Sequence, residues 1–227
     1  MKLFGQPLGL VVLDVDDVIV EGWRSYLLHT TSAARDLGLD CTPVEQYFVE
    51  IQLGQRDVIG NIPCFARQMW PGISDAFIEQ FVDRTETHSN IHEHPEVNGS
   101  VQTIQWLRQR QIPLAICSNA AEPGIRKRLA DVGADFDWFV AAHTREIGFC
   151  KPDPRAIRHV LDCTNVASEH AVFVGDLPSD MLAARGSGVR FFGVLSGLTT
   201  HAKFASHGVP HTHILSRLSE LQNLIEE

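Results

Sequence analysis

The sequence VVLDVDDV at positions 11–18 decides the fold expected of this chain. With Leu10, its first three residues form a short apolar run rich in β-branched side chains, typical of a strand buried on both faces of a parallel sheet. The run ends at Asp14, and Asp16 follows two residues later. Carboxylates at the carboxyl end of a buried strand lie where open α/β sheets bind their ligands. The stretch therefore predicts both a central strand and a ligand site.

A second apolar run, VFVGD at 172–176, also ends in a carboxylate, Asp176. If the two strands lie side by side in one parallel sheet, their carboxylates meet at the same edge. Several carboxylate oxygens close together suit a hard divalent cation such as Mg²⁺. The two runs together predict a metal-assisted active site.

Composition limits the classes of protein that this chain can belong to. The 227 residues, with a hydrophobic fraction of 44% and a charged fraction of 21%, predict one large globular domain or a domain with an insert. The formal charge of −9 argues against nucleic acid and anionic membrane surfaces as partners. A small phosphorylated substrate remains compatible, because a bound cation and a few local donors can reverse the field inside one pocket.

The cysteines and the first residues predict a cytoplasmic protein. The five cysteines show no CxxC pairing and no zinc-ligand spacing, which is typical of reduced thiols. The apolar run near the amino terminus is only strand-length, far below the roughly 20 residues of a membrane span.

The order of predicted elements indicates two domains. Residues from about 23 to 90 show helical spacing of apolar positions, whereas helices and strands alternate regularly from about residue 97 to a final helix in LSELQNLIEE. We predict an α/β fold with a doubly wound, mainly parallel, Rossmann-like core, interrupted after its first strand by a small all-helical cap domain. The predicted core is 1–20 and 92–227, and the predicted cap is 21–91.

Four polar signatures follow the predicted core strands. They are Asp14-Val15-Asp16, then Ser118-Asn119, then Lys151 in the sequence KPDP, and last Gly175–Asp180 with the sequence GDLPSD. One carboxylate can attack phosphorus and a second can exchange a proton with the leaving group. A hydroxyl and an ammonium can hold the phosphoryl oxygens, and Mg²⁺ can neutralise charge. The set therefore indicates phosphoryl transfer.

In order and separation, these four signatures resemble the motifs of the haloacid dehalogenase superfamily over nearly the whole chain. The helical insert resembles the cap of its phosphoglycolate phosphatase-like and beta-phosphoglucomutase-like branch. The resemblance implies that Asp14 is the nucleophile, that Asp16 is the general acid and base, and that Lys151 offsets the charge of the phosphoryl group. It implies an aspartyl-phosphate intermediate on Asp14.

The resemblance also implies the binding residues. Ser118 would bind the phosphoryl group with the help of the Asn119 backbone. Mg²⁺ would be held by the carboxylates of Asp14 and Asp176 and the backbone carbonyl of Asp16, and Asp180 would position Lys151 or a metal-bound water. Taken singly, Asp176 or Ser118 could instead cap the helix that follows it.

The resemblance does not explain Asp17 or the histidines near the end of the chain. Asp17 stands where many relatives have glycine, and we interpret it as a turn residue pointing away from the metal, with an additional metal-facing acid as the alternative. The histidines near the end of the chain match no metal-ligand spacing, and a solvated loop is the favoured interpretation: His201, His207, His211 and His213.

The insert narrows the choice among superfamily activities. It contains no lysine, which excludes the Schiff-base chemistry of phosphonoacetaldehyde hydrolases, and Asp16 argues against a dehalogenase. A phosphomonoester hydrolase is favoured, a sugar phosphomutase is the alternative, and a catalytically silent binding module is the third possibility. Arg56, in the loop LGQRD, is a candidate substrate contact, although a surface ion pair is an equal interpretation. The physiological substrate and the oligomeric state stay open.

Overall fold

The computed structural model describes residues 1–53, 55–56, 58–59 and 62–226. The chain forms two compact units. One unit comprises Met1–Gly22 and His94–Glu227, and the other comprises Trp23–Glu93. The sequence predicted the two domain boundaries after residues 20 and 91, in each case two residues before the boundary between the units.

The first unit is built on a parallel sheet. Its strands are β3 to β8, at Leu10–Leu13, Leu114–Cys117, Ala141–His143, Ala171–Gly175, Arg190–Val194 and Ile214–Leu215. Their order in the sheet is β5-β4-β3-β6-β7-β8, and every neighbouring pair is parallel. The chain fills one side of β3 first and then crosses to the other side, so the strand order reverses beside β3. Open α/β sheets bind ligands at such a switch point.

Helices cover both faces of this sheet, as the doubly wound prediction requires. The helices of this unit are α5 (Ser100–Gln109), α6 (Glu122–Asp131), α7 (Arg155–Thr164), α8 (Pro178–Ser187) and α9 (His201–Ser206). Along β3, Val11 and Leu13 pack into one buried cluster with α5 and α6, whereas Leu10 and Val12 pack into a second cluster with α7 and α8. Burial on both faces explains why this strand is a continuous apolar run.

A small antiparallel sheet joins the two ends of the chain. Strands β1 (Lys2–Leu3) and β2 (Gln6–Pro7) form a hairpin, and β1 also pairs with β9 (Ile225–Glu226). A 3₁₀ helix over Leu218–Leu224 precedes β9. The predicted carboxyl-terminal α-helix is therefore wrong, because the pairing of Ile225 with Leu3 overrides the local helical spacing.

The second unit is entirely helical in its described residues. Its helices are α1 (Gly22–Asp36, of which Gly22 belongs to the first unit), α2 (Thr42–Gln52), α3 (Ile62–Met69) and α4 (Asp75–Ile91). A cluster of aromatic rings fills its interior, with centroids 5.1 to 6.4 Å apart among Tyr26, Tyr47, Phe48, Phe65 and Phe81. In the described part of the chain, no helix has the length and apolar character needed to cross a membrane.

Candidate active site

Three neighbouring parallel strands place the predicted site residues at one edge of the sheet. Asp14 directly follows β3, Ser118 follows β4 and Asp176 follows β6. Because β3 lies between β4 and β6 and all three run in the same direction, their carboxyl ends meet. Asp14, Ser118 and Asp176 are all buried at that edge.

Three carboxylates meet beside the end of β3. Asp14, Asp176 and Asp180 each offer an oxygen, and these oxygens lie within 4.8 Å of one another. All three side chains are buried. Mg²⁺ is bound in proteins through one or two carboxylates, with water and substrate oxygens completing its coordination. The residues present therefore fit a divalent cation.

Burial perturbs the pKa values of two of these acids. Desolvation raises the pKa of Asp14 to about 7, a shift that Lys151 opposes and that the charge of Asp180 reinforces. Desolvation, with the charges of Asp17 and Asp180, raises the pKa of Asp176 well above its usual value. A positive ion among these oxygens would offset both effects, because it stabilises the ionised carboxylates.

Lys151 lies between two of the acids. Its Nζ is 2.7 Å from Asp14 Oδ2 and 2.7 Å from Asp180 Oδ1, and its side chain is only 2% exposed. Burial disfavours the ammonium, but the Asp14 and Asp180 carboxylates outweigh it and raise the pKa of Lys151. Lys151 is therefore a fixed positive charge at the site and not a surface lysine.

Asn119 holds the backbone of Lys151 in place. Its side chain accepts a hydrogen bond from Lys151 N at 2.8 Å and donates one to the Lys151 carbonyl at 3.0 Å. On the same turn, Ser118 Oγ accepts from Ala120 N at 3.1 Å. Neither residue is the N-cap of α6, which is Ala121. The sequence indicated a backbone contribution from Asn119 but gave no signal for this side-chain role.

Asp176 and Asp180 make different contacts. Asp176 is not the cap of α8, whose N-cap is Leu177. Asp180 Oδ2 accepts the hydrogen bond from Leu177 N at 2.9 Å, while Oδ1 faces Lys151. Asp180 thus fixes the start of α8 and the position of Lys151 together, which leaves the Asp176 carboxylate for a ligand.

The comparisons with known proteins agree with this geometry. The family model for haloacid dehalogenase-like hydrolases matches residues 11–194. The chain belongs to this family. A phosphoglycolate phosphatase from Pseudomonas fluorescens is 30% identical to this hydrolase over 192 residues, which cover 80% of the chain and 67% of that protein. Phosphoglycolate phosphatase 1 from Pseudomonas aeruginosa is 29% identical over 147 residues, which cover 64% of the chain and half of that protein.

Solved structures share the fold of this family member. A predicted phosphoglycolate phosphatase from Haemophilus somnus superposes with a TM-score of 0.80 at 16% identity, over 96% of this chain and 98% of that one. A Thermotoga maritima structure described as a candidate beta-phosphoglucomutase gives a TM-score of 0.73 at 20% identity, over 95% of this chain and 97% of that one. The family model confirms the predicted superfamily, and the solved structures confirm the predicted fold class.

Asp17 lies in the turn that follows β3. Its backbone has a φ of +60°, which agrees with a turn residue. Its side chain, however, is buried, and Oδ1 accepts a hydrogen bond from Gly22 N at 2.9 Å. The carboxylate also lies near enough to raise the pKa of Asp176, after desolvation the largest cause of that shift. Among the described residues the carboxylate group that could hold a metal comprises Asp14, Asp176 and Asp180, and the direction of Asp17 relative to a bound metal stays a prediction.

Arg56 and the histidines near the end of the chain make the following contacts. Arg56 ion-pairs with Glu50 at 3.1 Å, donates to Gln68 at 2.9 Å and stacks over Tyr47, all within the helical unit. Its neighbours Gly54 and Asp57 fall outside the described residues. Near the end of the chain, His201 and His211 are exposed and stack with centroids 4.9 Å apart.

The structure adds residues that no motif indicated. Arg128, on α6, has its Nε 3.3 Å from Asp16 Oδ1. In the loop after β7, Ser196 Oγ donates to the Asp17 carbonyl, and Gly197 lies so close to Asp176 that any Cβ there would overlap Oδ2. Apart from the small residues of LSGLTT after a strand, the sequence carried no signal for these contacts.

Proposed function

We propose that this chain is a Mg²⁺-dependent phosphomonoester hydrolase that acts on a small phosphorylated metabolite through an aspartyl-phosphate intermediate. The observation that carries the proposal is the position of Asp14 at the end of β3, buried beside Lys151 and the carboxylates of Asp176 and Asp180. A nucleophile held between a fixed cation and a cation site suits an attack on a phosphate dianion, whose charge would otherwise repel a carboxylate.

The first step is the transfer of the phosphoryl group to Asp14. One Asp14 carboxylate oxygen forms a bond to phosphorus while the bond from phosphorus to the ester oxygen breaks. Asp16 gives its proton to that departing oxygen. Lys151 and Ser118 hold the phosphoryl oxygens. The residues Asp14, Asp176 and the Asp16 carbonyl would hold Mg²⁺, with Asp180 beside them, and the ion supplies charge neutralisation at the phosphoryl group.

The second step frees the enzyme. Asp16, now ionised, takes a proton from a water molecule, whose oxygen attacks the phosphorus of the aspartyl phosphate. The bond from phosphorus to the Asp14 oxygen breaks, so inorganic phosphate leaves and Asp14 regains its carboxylate. Since the P. fluorescens and P. aeruginosa relatives are named phosphoglycolate phosphatases, phosphoglycolate is the first substrate to test.

The proposal is tested by phosphate release from 4-nitrophenyl phosphate and from phosphoglycolate, with and without Mg²⁺. The wild type is expected to hydrolyse at least one of the two esters, and to do so only when Mg²⁺ is present. Asp14→Asn is expected to retain less than about 1% of that rate. The matched control is Asp162→Asn on an exposed position of α7, which should keep full activity. Activity of more than a few per cent in Asp14→Asn would contradict the covalent mechanism.

The same assay separates the alternatives. A sugar phosphomutase would isomerise a hexose 1-phosphate without releasing phosphate, and a silent binding module would do neither. The cytoplasmic location stays a prediction that cell fractionation can test.

A further inference from the structure

Arg128 belongs to the first unit and lies beside Asp16. It belongs to the inner face of α6, next to the buried Leu129 and one turn from the buried Ile125. Its Nε lies 3.3 Å from Asp16 Oδ1, and its side chain is 20% exposed. A largely buried guanidinium is therefore aimed at the residue proposed as the general acid and base.

The guanidinium of Arg128 forms an ion pair with Asp16 but no hydrogen bond through Nε or Nη1 to a described residue. Arg128 Nε and Nη1 are buried, and neither makes a hydrogen bond to any residue that the structure describes. A buried N–H group without a partner is costly, so the ion pair with Asp16 is its main compensation.

Asp16 is also confined by the backbone on which it sits. A Cβ at Gly22 would lie 2.6 Å from Asp16 Cβ, so the Asp16 side chain fits only because residue 22 has none. Gly22 is fixed in turn by the hydrogen bond from its N–H to Asp17 Oδ1. The base of the Asp16 side chain is thus confined by packing, whereas its carboxylate, on a side chain that is 37% exposed, forms the ion pair with Arg128.

We propose that Arg128 is the positioning residue of Asp16. Its guanidinium holds Oδ1, which leaves Oδ2 as the atom that gives its proton to the departing ester oxygen and later takes one from water. In this role Arg128 takes no part in bond making or in the proton transfer. The inference rests on the proposed function, because it gives Asp16 the role of acid in the first step.

A leaving-group comparison tests this role. An alkoxide needs a proton as it departs, whereas 4-nitrophenolate departs without one, so loss of the acid affects alkyl esters selectively. The quantity to compare is kcat/KM, because it covers only the steps up to phosphoryl transfer and excludes hydrolysis of the aspartyl phosphate. A merely structural role for Arg128 would lower kcat/KM for both esters alike.

For Arg128→Gln we expect kcat/KM for phosphoglycolate to fall by about 10- to 100-fold, and that for 4-nitrophenyl phosphate to change by less than about threefold. Arg128→Lys, which keeps the charge but lacks the planar fork, should recover part of the loss. In an Asp16→Asn background, Arg128→Gln should cause no further loss. The matched control is Arg126→Gln, an exposed arginine of the same helix paired with Glu122, which should leave both values unchanged.

Each outcome has one meaning. Equal losses for the two esters, or a further loss in the Asp16→Asn background, would overturn the role of Arg128 while the proposed function stands. Absence of hydrolysis of both esters by the wild type would overturn the proposed function, and this inference with it. Urea unfolding midpoints of all variants show whether a loss reflects the fold.

Discussion

At the residue scale, the side chain of Lys151 contributes both to the stability of the fold and to the proposed reaction. It is the positive charge between Asp14 and Asp180, and all three groups are buried. Removing one member of a buried charge network leaves the others without compensation. We expect Lys151→Met to lower the free energy of unfolding by about 3 kcal/mol and to abolish turnover.

The loss of stability in Lys151→Met should depend on metal. Mg²⁺ is expected to restore part of it, because the ion supplies the missing positive charge. Urea unfolding with and without Mg²⁺ measures both effects. Lys2→Met, on the exposed start of β1, is the control and should change stability by less than about 0.5 kcal/mol. A Lys151 variant that unfolds at the same urea concentration as this control would refute the expectation.

His143 provides a pH-dependent prediction. The ring lies fully buried at the end of β5, and its Nε2 bonds the Phe149 carbonyl at 2.8 Å, which fixes the loop before Lys151. Nδ1 is buried without a hydrogen-bond partner among the described residues. Desolvation therefore lowers the pKa of His143 from its usual 6.5, since protonation would put an unpaired N–H in the interior.

A lowered histidine pKa means that the unfolded chain takes up the proton first. This contribution to stability is present above pH 6.5 and is lost as the pH falls below it. We expect His143→Gln to be less stable than the wild type near neutral pH and to lose less stability on acidification. Urea titrations at several pH values measure the difference, with exposed His201→Gln as the control. Parallel stability curves for wild type and His143→Gln would contradict the assignment.

At the scale of the element, the loop after β7 closes one side of the acidic cluster. Gly197 leaves no room for a side chain beside Asp176 Oδ2, and Ser196 ties the same loop to Asp17. Gly197→Ala must displace either the loop or the Asp176 carboxylate. We expect its Mg²⁺ affinity to fall by about 10- to 100-fold, measured by calorimetry.

Gly124→Ala is the matched control for the Gly197 variant. The new methyl would make only an ordinary contact of 3.7 Å, and alanine is the better helix former in α6. Its Mg²⁺ affinity should be that of the wild type. Equal affinity in Gly197→Ala would show that the loop does not support Asp176.

At the scale of the whole molecule, Mg²⁺ should stabilise the folded chain. The acids of the site come from β3, β6 and α8, so only the folded protein brings them together. At about 100 times its Kd, a ligand that binds only the folded state adds about 2.7 kcal/mol. For a chain of this size we expect Tm to rise by about 5–10 °C.

Thermal denaturation with Mg²⁺, and again after EDTA, tests this coupling. Asp176→Asn should lose most of the rise in Tm, while Asp162→Asn should keep it. A Tm that does not respond to Mg²⁺ in the wild type would contradict a metal site at the cluster.

The sequence alone determined the alternation of strands and helices in the core from β3 to β8, and the acids at the strand ends. Asp14 and Asp176 could be predicted because each ends an apolar run, and chain direction alone brings the ends of parallel strands to one edge. Lys151 was found through its motif, although its burial between two carboxylates was not visible in the pattern. These features are local, so they are visible in the sequence as the spacing of apolar residues or as polar residues at the end of an apolar run.

Only the tertiary structure decided the partners of those acids. Arg128 meets Asp16, Gly197 meets Asp176, and Ile225 pairs with Leu3, in each case across a long stretch of chain. Hydrophobic spacing reports which face of an element is buried, but it does not report which distant residue covers that face. The residue types of the site could therefore be predicted from short stretches of sequence. The positions of their side chains depend on contacts that exist only after the sheet has assembled.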